Sequence, residues 1–167
     1  VEEACGFGPA PAHVRDKDGI ATSVVAASRV AALKAQGRSV WDELERLARL
    51  HGLHVSSPLT FRVEEIEQIA SGMARLRAQP PSVLAGSPVV EVSDLSQGYR
   101  GLPPTDGVLV LTEAGDRVIA RPSGTEPKLK CYLEVILPVA EGEPLPWEQA
   151  RERLDAIKGA FAEIIGL

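Results

Sequence analysis

Aromatic residues make up only 4% of the 167-residue chain, so aliphatic side chains and alanine must fill whatever core it builds. Cysteine is nearly absent too. Cys5 and Cys131 form neither a CxxC pair nor a zinc-ligand spacing. Cys131 falls in an apolar-alternating run and reads as a small core residue, with a reducing compartment the simpler setting. No run approaches 18 apolar residues, which leaves no membrane-spanning helix to expect. There is no excess of positive charge: 18 Lys and Arg stand against 23 Asp and Glu, a net charge of −5. That balance is a poor starting point for non-specific nucleic-acid binding, so any anion site must be local. An initiator Met and a signal-like segment are also missing, and Val1 is expected to begin a fragment, a tag-trimmed chain or a processed product. What is present, 44% apolar and 25% charged residues without repeats or low-complexity tracts, is the balance of a globular protein. The length allows one domain, or one domain plus part of another.

After a Gly/Pro-rich and then charged opening over 1–19, Ile20, Val24, Ala27 and Ala31 recur at helical spacing, predicting a helix from about Asp18 to Gln36. Ser39 with Asp42 three residues later forms a capping box for a second helix lined by Leu44, Leu47 and Leu50 and stopped at Gly52. These two helices have no strands of their own. The stretch 54–58 reads as a linker, and Thr60 as the cap of a third helix carrying Val63, Ile66, Ala70, Met73 and Leu76 and stopped by Pro80 and Pro81. The period then shortens to two. Strands are predicted at 89–92, 108–111, 116–120 and 129–135, with a hairpin turn at Glu113-Ala-Gly-Asp116. A last helix presents Trp147, Ala150, Leu154, Ile157, Phe161 and Ile164. The expected class is α+β: a four-stranded antiparallel sheet with helices on one face, preceded by two helices without strands of their own.

The chemistry concentrates in Arg121-Pro-Ser-Gly-Thr-Glu-Pro-Lys128. Ser123, Gly124 and Thr125 offer two hydroxyls and consecutive backbone N–H groups, and Gly124 leaves room for those amides to converge on one point. Arg121 brings a planar fork that suits phosphate oxygens, while Lys128 and Lys130 add point charges. Pro122 and Pro127 stiffen the loop, so less entropy is lost when it closes on an anion. On chemistry alone the segment is either a phosphate cradle or a strand connection whose Pro and Gly make the turn.

The run from Arg121 to Tyr132 resembles the C-terminal phosphate-binding signature of the α-D-phosphohexomutases, the family that includes phosphoglucomutase and phosphomannomutase. Val1-Glu-Glu-Ala-Cys-Gly6 resembles the sugar-binding loop of that family's third domain, and His13-Val-Arg-Asp-Lys-Asp-Gly19 the charged segment opening its next helix. The resemblance spans the chain. It implies a third-domain remnant over residues 1–55 and a complete fourth domain, TATA-binding-protein-like in fold, over 56–167. It also implies that the first two helices are left over from an α/β domain whose covering sheet lies elsewhere in the parent.

By the same resemblance, Arg121, Ser123, Gly124, Thr125 and Lys128 bind the phosphate that is not reacting. Glu2 accepts sugar hydroxyls, and Lys17 faces the reacting centre as a charge stabiliser or proton-transfer residue. Read without the family, Glu2 is a frayed N-terminal acid, and Asp16, Lys17 and Asp18 are a surface cluster capping a helix. Ala4 stands where many relatives have Ser and cannot hydrogen-bond through its side chain. Glu126 is expected to orient the loop by pairing with Lys128 or Lys130, Tyr132 to pack on the sheet face, and Trp147 to anchor the last helix. His13, His51 and His54 read as loop, helix-end and linker residues. The implied reaction is interconversion of hexose 1- and 6-phosphates through a hexose 1,6-bisphosphate, with Mg²⁺ in the full-length parent and a hexose phosphate as substrate. The phosphoserine loop and Asp-rich metal loop are not in this sequence, so the chain holds no metal ligands and is expected to be inactive alone. Its partners are then the missing N-terminal domains, with no nucleic acid and no membrane, in the cytoplasm. A stand-alone, non-catalytic phosphate-binding or interaction module is the alternative.

Overall fold

The computed structural model describes residues 6–166. They divide into two compact units, one up to Leu47 and one from Ala48, the division falling within the helix Val40–His51.

In the first unit, helix α1 (Gly19–Ala35) starts at Asp18, whose carboxylate accepts the backbone N–H groups of Ile20 and Ala21, both at 3.0 Å. Helix α2 (Val40–His51) starts with the expected capping box. The Asp42 carboxylate accepts the Ser39 backbone N–H at 2.6 Å, and the Ser39 hydroxyl accepts the Asp42 N–H at 3.1 Å. Glu43 joins the two helices. It accepts Arg46 of its own helix at 2.9 Å, Arg38 of the connection at 2.6 Å and Arg29 of α1 at 2.5 Å. These partners, Arg46 first, lower the Glu43 pKa to about 2. The apolar residues of this unit remain largely exposed, Ile20 at 84% and Trp41 at 77%, with Val24 and Leu44 beside them.

The second unit contains a sheet of six antiparallel strands rather than the four expected. They are β1 (Leu53–Arg62), β2 (Val83–Leu84), β3 (Ser87–Asp94), β4 (Val108–Thr112), β5 (Arg117–Pro122) and β6 (Lys128–Leu137), in the spatial order β1-β6-β5-β4-β3-β2. β1 replaces the expected linker at 54–58, and Thr60 lies within it rather than at a helix cap. Ten cross-strand pairs with β6, from Leu53 opposite Leu137 to Arg62 opposite Lys128, outweigh the local preference of Ser-Ser-Pro for loop and of Thr60 for a cap. Pro58 is tolerated because β1 is an edge strand. Helix α3 (Ile66–Ala78) then begins after Glu65, which makes no side-chain capping bond. The β2–β3 hairpin turns on Ala85 and Gly86, both with positive φ, the geometry of a two-residue primed turn.

Leu129, Cys131, Leu133, Val135 and Leu137 of β6 point to one side and are buried. On that side they pack with Met73 and Leu76 of α3 and with Ala150, Leu154, Ile157, Phe161 and Ile165 of helix α4 (Trp147–Ile165). Burial of each large apolar side chain contributes about 1.5–3 kcal/mol. Trp147, expected to anchor α4, is 45% exposed. The β4–β5 turn is tied to α4 by Asp116, which is fully buried and accepts Arg153 at 2.8 and 3.0 Å and the Thr112 hydroxyl at 3.1 Å. Residues 128, 130, 132, 134 and 136 of β6 face the other side, which neither α3 nor α4 covers.

Candidate functional site

The β5–β6 connection, residues 123–127, leaves the sheet at the same end as the β3–β4 loop. Its base is held in three places. The Ser123 N–H donates to the Lys128 carbonyl at 2.9 Å, the Lys128 N–H to the Glu126 carbonyl at 2.7 Å, and the Val63 N–H to the Pro127 carbonyl at 3.1 Å. The tip is different. The backbone N–H groups of Gly124, Thr125 and Glu126 donate to no acceptor among the described residues, and the hydroxyls of Ser123 and Thr125 are likewise unpaired. Three successive unpaired N–H groups and two unpaired hydroxyls are donors left open to an acceptor from outside the chain.

Gly124 does not adopt a left-handed conformation, and a Cβ there would meet nothing within 4 Å. Its lack of a side chain therefore matters for the open space next to the loop, not for the turn itself. Arg121, at the end of β5, is exposed and pairs with no carboxylate among the described residues. Lys128 is only 15% exposed and its ammonium lies 2.5 Å from Glu126. That bond, assisted by the charges of Arg62 and Lys130, holds the Glu126 pKa below the usual carboxylate value. The expected Glu126–Lys128 pairing is thus present. Cys131, one strand position inside the core, is pushed by burial up to about 12 and is chemically inert at neutral pH.

Two positions not singled out in the sequence support the site. Gly107 precedes β4, and a Cβ there would lie 3.1 Å from the Ala120 carbonyl and 3.9 Å from the Arg121 Cβ. Glycine is what lets this backbone pass close to the Ala120 carbonyl, next to Arg121 in β5. Arg77 of α3 donates to Asp94 at 3.0 Å and to Asp106 at 2.6 Å, fastening both ends of the β3–β4 loop. Arg77 stands 17 and 29 residues before its two Asp partners, which leaves no local pattern to read.

Of the residues expected from the first unit, Glu2 lies outside the described residues, as do Ala4 and Cys5. Lys17 is exposed and lines a cavity of about 390 Å³ with Gly6, Gly8, Pro11, Arg15 and Asp16. Its backbone N–H donates to Asp16 at 2.7 Å, and Asp18 is committed to capping α1. Lys17 and the 121–128 loop belong to different units, each with its own geometry. Among the described residues no three His, Cys, Asp or Glu side chains come together to hold a metal ion, and no helix is long and apolar enough to cross a membrane.

The profile of the phosphoglucomutase/phosphomannomutase C-terminal domain matches residues 59–145, about half the chain, and takes in the whole loop. The chain belongs to the phosphoglucomutase/phosphomannomutase family. A probable phosphomannomutase of Haemophilus influenzae is 39% identical over 133 residues, covering 80% of this chain and 27% of the relative. A phosphoglucomutase of Staphylococcus haemolyticus is 34% identical, covering 80% of this chain and 27% of the relative. A human phosphopentomutase is 26% identical over 97% of this chain and 28% of its own length. The chain therefore spans little more than a quarter of these mutase relatives. In fold it is similar to parafusin, a phosphoglucomutase of Paramecium in its open form. The TM-score is 0.59 at 17% identity, over 93% of this chain and 29% of the other. The α+β fold of the chain is thus similar to that of a phosphoglucomutase.

Proposed function

We propose that this chain is the C-terminal part of a sugar-phosphate mutase and that its 121–128 loop grips the phosphate that stays in place while the other end of the sugar reacts. The observation that carries the reading is the run of unpaired N–H groups at Gly124, Thr125 and Glu126 beside the unpaired Arg121. A phosphate dianion brings several strong acceptors to such a set, and each charge-assisted bond contributes about 1.5–3 kcal/mol. Ser123 and Thr125 add hydroxyl donors, Lys128 an ammonium, and Gly124 the room for close approach.

In this reading residues 1–55 close the parent's third domain and the remainder forms its fourth. Glu2 accepts sugar hydroxyls, and Lys17 stabilises charge or moves a proton at the reacting centre. The grip orients the sugar without forming a bond to it, so its contribution is positioning. Release must allow a bisphosphate to turn over, which favours moderate affinity. Mg²⁺ would neutralise charge on the moving phosphoryl group when bound elsewhere in the parent. The described residues here offer no ligand set for it, and no step of this chain runs through it. A hexose phosphate is the proposed substrate and the cytoplasm the proposed location.

Calorimetric titration separates the parts of this reading. Glucose 1-phosphate and inorganic phosphate should both bind, glucose should not, and Arg121→Ala should remove the heat from both anions. Equal binding of glucose and glucose 1-phosphate would contradict a phosphate grip.

A further inference from the structure

The loop is only one side of a larger group of cations. The alternation of β6 places Lys128 and Lys130 on the sheet face left open by α3 and α4. The β1 register sets Arg62 opposite Lys128 and Thr60 opposite Lys130, and the β5 register sets Arg121 opposite Lys130. Residues directly opposite one another have Cβ atoms about 4.5–5.5 Å apart. Four cations on three neighbouring strands therefore crowd one end of this face, in a chain whose net charge is −5.

Glu126 alone pairs with any of them, and it takes Lys128. Arg62, Arg121 and Lys130 have no hydrogen-bond or ion-pair partner among the described residues. Elsewhere on the same face Arg117 is matched with Glu134 at 2.9 Å, and Arg100 of the β3–β4 connection pairs with Glu91 of β3 at 3.2 Å. Like charges placed opposite one another are destabilising. Leaving them unmatched at this one end favours an anion from outside the chain.

Arg62 is also mechanically joined to the loop. The next residue, Val63, donates its N–H to the Pro127 carbonyl, so the end of β1 and the loop are held together. The charge of Arg62 reaches the loop, since it contributes to lowering the Glu126 pKa after the larger effect of Lys128.

We propose that Arg62, from β1, is a further binding residue of the anion site, taking phosphate oxygens from the side opposite Arg121. The site is then built from two separate chain segments, and β6 supplies Lys128 and Lys130 between the two guanidinium groups. This rests on the phosphate reading of the 121–128 loop. Arg62 lies outside the loop motif, and its fork suits a tetrahedral anion better than a third ammonium would.

The test is titration of the full 167-residue chain with inorganic phosphate at fixed salt, followed by amide NMR. Four variants are compared with the unmodified chain: Arg62→Ala, Arg62→Lys, Arg121→Ala and Arg117→Ala. Arg117→Ala removes the same charge from the same face, at its paired end. Arg62→Ala should raise Kd at least fivefold with an unchanged thermal midpoint, Arg62→Lys should restore part of the loss, and Arg117→Ala should change Kd less than twofold. Equal effects of Arg62→Ala and Arg117→Ala would reduce Arg62 to a distant charge and overturn the proposal. Wild-type affinity in Arg62→Ala alongside lost binding in Arg121→Ala would overturn it too, while leaving the loop reading intact. Absence of phosphate-dependent shifts at 121–128 in the unmodified chain would remove both.

Discussion

Two carboxylates show how a single side chain is used differently at the two ends of the sheet. Asp116 is buried and accepts both Arg153 bonds and the Thr112 hydroxyl through one oxygen, leaving its Oδ1 without a partner. Removing Arg153 strands that charge in the core. Arg153→Ala should cost about 3–5 kcal/mol in a urea melt, whereas Arg151→Ala on the exposed side of α4 should cost little. A loss below 1 kcal/mol for Arg153→Ala would mean that Asp116 is not held by this pair. Glu126 is half-exposed and, in the proposed grip, opposes the anion instead. Its carboxylate occupies the ammonium that a phosphate would otherwise meet. Two unit charges about 4 Å apart in water interact by about 1 kcal/mol. Glu126→Gln should accordingly tighten phosphate binding about fivefold, and weaker binding would show that Glu126 serves the loop's shape more than it opposes the anion.

At the scale of elements, α2 and β1 meet at Gly52, whose φ of +92° is a conformation few side chains adopt. A Cβ there would also lie 3.0 Å from the Ile136 side chain and 3.2 Å from the Leu137 carbonyl. Gly52→Ala should cost about 2 kcal/mol or more by denaturant midpoint. A neutral effect would contradict the tight passage between the elements.

The α1–α2 pair depends on Glu43 in a pH-dependent way. Its folded pKa of about 2 lies below the ordinary 4.5, so the stabilisation is complete above pH 4.5 and is lost as pH falls through about 2. The carboxyl ¹³C shift should titrate with a midpoint near 2, and Glu43→Gln should move faster amide exchange in α1 and α2 to neutral pH. A midpoint near 4.5 would contradict the three-arginine arrangement.

The helices and the β4–β5 hairpin were legible because their signals are local: Asp18 as a cap, Ser39 with Asp42, Gly115 in the turn, and the β6 alternation. β1 was not, although Leu53, Val55, Leu59 and Phe61 alternate with exposed neighbours. Ser56, Ser57 and Pro58 interrupt that pattern, and the bonds that make the segment a strand come from β6, some 75 residues away in sequence. Arg62 is hidden in the sequence along with β1, because only the strand register places it beside Lys128. The loop motif itself was legible from its residue types. The unpaired state of its N–H groups required the structure.

For the whole molecule, apolar residues of α1 and α2 are exposed, and the chain spans little more than a quarter of its mutase relatives. The grip is proposed to reside here and the reacting groups in the rest of the parent. The chain alone should therefore fail to convert glucose 1-phosphate to glucose 6-phosphate, and turnover at a rate comparable to an intact mutase would contradict this division. The most direct measurement is an amide NMR titration of the chain with glucose 1-phosphate. The largest shifts should fall on Gly124, Thr125 and Glu126 and vanish in Arg121→Ala. Saturable shifts centred on another part of the chain, with 121–128 unmoved, would contradict the phosphate grip.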